Sequence, residues 1–164
     1  MVKKNFILYT RNFIFGYEDS LVSTVGLLAG VVSAGVGRKE IIISGIVLIC
    51  VEAFSMSVDS FSFERAMEES SSGYVKKESS SVIASVIMLV SYVSCGFIPL
   101  IPYFIFDVNK AFWWSIVASI ISLFVLGLIS AKILKINVVR STLRMTIMGG
   151  MAIGLGVVVG LIMK

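Results

Sequence analysis

Five long apolar stretches constrain this chain more than anything else in it. They run over about 12–36, 41–63, 79–106, 111–131 and 145–163. A helix needs roughly 20 mostly apolar residues to cross the hydrocarbon core of a bilayer. The pattern therefore predicts an all-α polytopic membrane protein with five transmembrane helices, folded as a single domain over 1–164. The rest of the composition agrees. Of 164 residues, 57% are hydrophobic and only 15% are charged, with a mean hydropathy of +1.00. A soluble domain of this size has no interior large enough for that apolar surface, whereas lipid solvates it.

Orientation follows from the Lys and Arg residues of the short connecting segments. With the N-terminus in the cytoplasm, the inner segments hold ten such residues and the outer segments four. This predicts a cytoplasmic N-terminus and an outside C-terminus. The net charge of +4 thus reads as a topology signal, and no nucleic-acid partner is expected. The third stretch is longer than a straight span requires and contains Pro99 and Pro102, so it is expected to break near that end. The one loop with soluble character is about 64–78. It is cytoplasmic in this scheme, carries Ser70, Ser71, Ser72 and Gly73, and is too short for a separate domain. The first apolar stretch is too long for the h-region of a signal peptide, so it is expected to stay in the protein.

The chain has no histidine. That excludes His-ligated zinc, HExxH sites and Ser-His-Asp triads. No nucleophile and base pair is visible, so an enzyme is not expected. Cys50 and Cys95 both fall in apolar stretches and read as packing residues. Any metal site must then use oxygen and sulfur, and any proton handling must use carboxylates.

Acids inside a membrane are costly and by default functional. Glu18 and Asp19 lie in the first stretch and, being adjacent, point about 100° apart on a helix. Asp19 leads a small and polar stripe with Ser23, Gly26 and Gly30, suited to face a partner helix. In the second stretch Glu52, Met56 and Asp59 stand at i, i+4 and i+7, stacked on one face. Two carboxylates with a thioether suit a divalent transition metal better than Mg or Ca. The plainer alternatives are a Met that fills a packing gap and an Asp59 hydrated at the cytoplasmic end. Further along, Glu64, Met67 and Glu68 form a weaker candidate for a cation-attracting mouth, or simply a solvated helix end. Gly26-x-x-x-Gly30, Gly150-x-x-x-Gly154 and Gly156-x-x-x-Gly160 are spacings that let helix backbones approach closely.

Several segments together resemble the vacuolar iron transporter family. Arg11, Ile14, Gly16, Asp19-Ser20-Leu21 and Leu27-Leu28-Ala29-Gly30 are similar to its opening pattern, with Ser20 where the family usually has Gly. Ser55-Met56 is similar to its Ser-Met on the second helix. Gly96-Phe97-Ile98-Pro99-Leu100-Ile101-Pro102-Tyr103 is close to its most distinctive run, and Gly149-Gly150, Ala152 and Gly160 resemble its last helix. The resemblance implies a five-helix homodimer with the pathway between protomers, and export of Fe2+ or Mn2+ from the cytoplasm by proton antiport. It matches Asp19 and Met56 to pathway positions. The partners implied are divalent metal ions, protons, the lipid bilayer and a second copy, with no permanently bound cofactor. The membrane is the cell membrane in a prokaryote or the vacuolar membrane in a eukaryote. The Glu-rich cytoplasmic metal-binding domain of plant and fungal members has no counterpart here, since only about 64–78 stands in its place. The alternatives are a passive cation channel built from the same acids, and a non-transporting membrane dimer that binds metal.

Overall fold

The structure, a computed structural model, describes residues 2–72 and 78–164. It contains six helices: α1 (Val2–Ser33), α2 (Arg38–Ser72), α3 (Glu78–Leu100), the short α4 (Pro102–Ile105), α5 (Val108–Leu134) and α6 (Val138–Ile162). Among the described residues there is no strand. Among the described residues four helices are long and apolar enough to cross a membrane: α5, α6, the portion of α2 from Arg38 to Met67 and that of α3 from Ser80 to Leu100. Their outward surfaces are apolar. Trp113, Trp114, Ile121 and Phe124 of α5 and Leu155, Val158 and Ile162 of α6 are all exposed, far more apolar surface than a water-soluble monomer presents. The chain is an all-helical integral membrane protein.

Hydropathy thus picks out four spans where five are expected from the sequence, and α1 is the difference. At 32 residues it is long enough, at about 48 Å for 1.5 Å per residue. Its middle, however, carries Glu18, Asp19, Ser20, Ser23 and Thr24. The fold hides this polar helix. α1 packs against α2, α3, α5 and α6, and Ser20, Leu21, Thr24, Val25, Leu28 and Ala29 are buried. A polar helix can lie at membrane depth when other helices shield it from lipid.

The packing of α1 against α6 depends on glycine. A Cβ on Gly156 would lie 2.0 Å from the carbonyl oxygen of Gly26, and one on Gly160 would lie 2.1 Å from that of Gly30. These two helices therefore touch backbone to backbone. The other glycine pair on the last helix behaves differently, because a Cβ on Gly150 or Gly154 meets nothing within 4 Å. Of the two identical spacings on α6, this chain uses only one for its own packing.

The expected break falls between α3 and α4. Pro99 lies in the last turn of α3, and Pro102 starts α4, a position that needs no amide hydrogen. Arg38, at the start of α2, donates to the carbonyls of Tyr103 (2.6 Å) and Phe104 (2.5 Å). It thereby satisfies the end of the broken segment.

At the opposite end the sequence reading needs extension. α2 continues to Ser72, so most of the expected 64–78 loop is helical, and α1 begins ten residues before the expected 12. Both helices overshoot an apolar core of about 30 Å. Their projecting ends clamp together. Arg11 forms an ion pair with Glu64, the Ser60 hydroxyl donates to Oδ1 of Asn12 at 2.5 Å, and Arg11 lies over the Phe63 ring at 5.7 Å. Residues 73–77, the remainder of that loop, fall outside the described residues.

The glycine geometry gives a direct test. Gly156→Ala should destabilise the protein by about 1–3 kcal/mol, the usual cost of overpacking. Gly150→Ala should be neutral or slightly stabilising, since Ala is the better helix former. Thermal unfolding of the two variants in detergent checks both.

Candidate metal-ion pathway

Three helices converge on one polar cluster. Asp19 comes from α1 and Glu52 from α2. Both are half-buried, and they lie within electrostatic reach of each other. Tyr92 comes from α3 and is fully buried. Its hydroxyl is hydrogen-bonded to that of Ser23 at 2.6 Å, and it lies within the field of both carboxylates. The Ser20 hydroxyl donates to the Tyr92 carbonyl at 2.6 Å, fixing the helix that carries the phenol. Two carboxylates within electrostatic reach of each other at low dielectric are stabilised by a cation held near both. The donor set is all oxygen, which suits hard and borderline divalent ions.

Glu18 takes the other direction, as its 100° offset from Asp19 requires. It is half-buried and lies in the field of Arg144 on α6, whereas Asp19 lies in that of Glu52 on α2. The two adjacent acids therefore belong to different surroundings.

Met56 and Asp59 lie further along α2, toward its projecting end. Seven residues separate Glu52 from Asp59, about 10 Å along the axis. Together with Met88 of α3 and Asn12 of α1, Met56 and Asp59 line an open cavity of about 530 Å³. Met88 is buried, so two thioethers and one carboxylate face the same space. Asp59 itself is exposed. The floor is held by the Asn12–Ser60 hydrogen bond, and Asn12 also donates to the Leu8 carbonyl at 3.0 Å.

The remaining predicted residues stand apart from this cavity. Glu64 is engaged by Arg11 and can take up a cation only by giving up that pair. Met67 is exposed near the end of α2. The Glu68 side chain lies outside the described residues. Among the described residues no three of His, Cys, Asp and Glu are grouped to hold a metal ion. One chain therefore offers a pair of acids at the deep cluster and one acid with two thioethers in the cavity.

Tyr92, Met88 and Asn12 are participants that the sequence reading does not single out. Tyr92 is the polar tip in an uncharged span, and its hydroxyl, unable to be left unpaired in lipid, was the signal available.

With the arrangement of helices and acids described, the comparison with known proteins is informative. The sequence model of the VIT family matches residues 10–82 and 59–161. These two matches run through all six helices. The class defined is thus a helical membrane protein for metal-ion transport, and this chain belongs to the VIT family. It is also similar to an uncharacterized protein of Methanocaldococcus jannaschii, 29% identical over 166 residues, covering 89% of this chain and 85% of the relative.

Tyr92→Phe is expected to destabilise the protein by about 1–3 kcal/mol, because it leaves the Ser23 hydroxyl without its buried partner. The double change Ser23→Ala with Tyr92→Phe should recover part of that loss. Thermal unfolding of the single and double variants measures it.

Proposed function

We propose that this protein carries divalent transition-metal ions, Fe2+ or Mn2+, across the membrane, exporting them from the cytoplasm in exchange for protons. Membership of the VIT family supports metal-ion transport. The reading is supported by Asp19 of α1 and Glu52 of α2 lying within electrostatic reach of each other and of Tyr92. Such a pair holds either one divalent cation or a proton, so loading one releases the other. In this account α2 is the path. Ions enter the open cavity at Asp59 and Met56, with Met88 opposite, and pass about 10 Å along the helix to Glu52 and Asp19. The thioethers favour Fe2+ and Mn2+ over Mg2+ by softness.

The working unit is a homodimer with all five long helices spanning the bilayer, the N-terminus cytoplasmic and the C-terminus outside. Two carboxylates leave most of the coordination sphere of such an ion unfilled. Glu52 and Asp59 also share α2 with the exposed apolar residues Val51, Phe54 and Val58. A second copy laid on this face would shield the acids from lipid and bring a second pair of acids to the path.

Metal flux into proteoliposomes tests the proposal. With a pH gradient, the native chain should move Fe2+ or Mn2+, and Glu52→Gln or Asp19→Asn should reduce the rate at least about tenfold, the effect of losing roughly 1.4 kcal/mol of stabilisation. Met56→Leu should slow Fe2+ more than it slows Mg2+. Flux that is independent of the gradient would replace exchange by a passive channel. Absence of flux in a folded dimer would overturn the transport reading.

A further inference from the structure

A second polar cavity lies where α5 turns into α6. Its volume is about 380 Å³, and it is lined by Ile136, Asn137, Arg140, Ser141 and Arg144. It sits at the same end of the bundle as the projecting ends of α1 and α2. Its construction is electrostatically odd. The first turn of α6 contains no acid. Instead, two arginines four residues apart stand in the first two turns. Cations are unfavourable at a helix N-terminus, where the dipole favours anions, and like charges at i and i+4 repel. Neither arginine has an ion-pair partner among the described residues. Glu18 lies in the field of Arg144 without forming an ion pair with it.

Ser141 supplies an independent observation. It lines the same cavity, is 5% exposed, and its hydroxyl has no hydrogen-bond partner. An unsatisfied buried hydroxyl is costly, and here it stands beside two unpaired guanidinium groups. Asn137 caps the helix by accepting from the Arg140 amide at 3.1 Å, so the turn itself is rigidly set. An oxyanion in the cavity resolves all of these features. It accepts from both guanidinium groups, gives the Ser141 hydroxyl a partner, and complements the helix dipole.

We propose that this cavity binds a phosphate-bearing anion at the membrane surface. The surroundings favour a headgroup of an anionic lipid as its source. Ile136, Val139 and Leu143, which flank the cavity, are all exposed, so a phosphate seated here has apolar surface beside it for acyl chains. Lys132 and Lys135 add exposed positive charge on the same turn, and basic residues beside a span attract anionic lipid. The inference does not rest on the transport reading.

Thermal unfolding of the full chain in an uncharged detergent tests it. The additives are short-chain phosphatidylglycerol, phosphatidylcholine, and inorganic phosphate at constant ionic strength. Phosphatidylglycerol should raise Tm by about 3 °C or more, and phosphatidylcholine should not. Arg140→Gln with Arg144→Gln should abolish the rise. Ser141→Ala should reduce it without lowering the Tm of the unliganded protein, whereas Lys110→Gln, at the other end of α5, should leave it intact. An equal rise with inorganic phosphate, lost in the same variants, identifies the source as a soluble phosphate. The proposal is overturned by no rise with either anion, by an equal rise with phosphatidylcholine, or by a rise that survives removal of both arginines.

Discussion

A bilayer gives no hydrogen bonds to a helix that carries Glu18, Asp19, Ser20, Ser23 and Thr24 within two turns, and the rest of this structure answers that constraint. α1 is wrapped by α2, α3, α5 and α6. Three of these neighbours each deal with one part of its polar surface. Tyr92 of α3 bonds Ser23 and accepts from Ser20 through its carbonyl. α2 brings Glu52 within electrostatic reach of Asp19, and α6 brings Arg144 within reach of Glu18. The wrapping is possible because Gly156 and Gly160 let α6 come into backbone contact at Gly26 and Gly30. Close approach on one side and polar partners on the other are therefore two halves of one solution. An enlarged residue at Gly156 pushes α6 away and uncovers the same helix whose acid Asp19 our proposal places on the ion path.

Charge is distributed along the bundle in a consistent order. At one end, Arg38 holds the broken α3–α4 segment through two carbonyls. The middle holds Asp19 and Glu52, within electrostatic reach of each other. Near the other end come Met56, Asp59 and Met88 around an open cavity, followed by the Arg11–Glu64 clamp. In our proposal an ion moving along α2 passes from a cavity with thioethers to a cluster with oxygen donors only. In our proposal that order separates capture, where softness selects the metal, from exchange, where carboxylates trade metal for proton.

Much of this was legible in the sequence, and the failures have physical causes. The apolar stretches located every long helix, since the cost of burying charge in lipid leaves so simple a pattern. The boundaries were less legible. Residues 2–11 of α1 and 64–72 of α2 are polar enough to read as segments outside the membrane. They are, however, helical, because nothing such as Pro or Gly interrupts the helix at Asn12 or Glu64, and the ends brace each other through Arg11 and Glu64. The break at Pro99 and Pro102 was readable because proline acts locally. Which GxxxG packs was not, because Gly150 and Gly156 have the same local spacing and differ only in what lies opposite. The site divides in the same way. Asp19 and Glu52 stand out in the sequence by the cost of their charge, whereas Tyr92, Met88 and Asn12 acquire their places only through residues on other helices.

The central claim is that Asp19 and Glu52 act as one cation-binding unit. It is tested most directly by a double-mutant cycle on Mn2+ affinity, measured by calorimetry on the purified protein with the native chain, Asp19→Asn, Glu52→Gln and the double variant. The account predicts strong coupling: each single change weakens binding about as much as both together. Losses that simply add, or a single change without effect, would contradict it and place the two acids in separate roles.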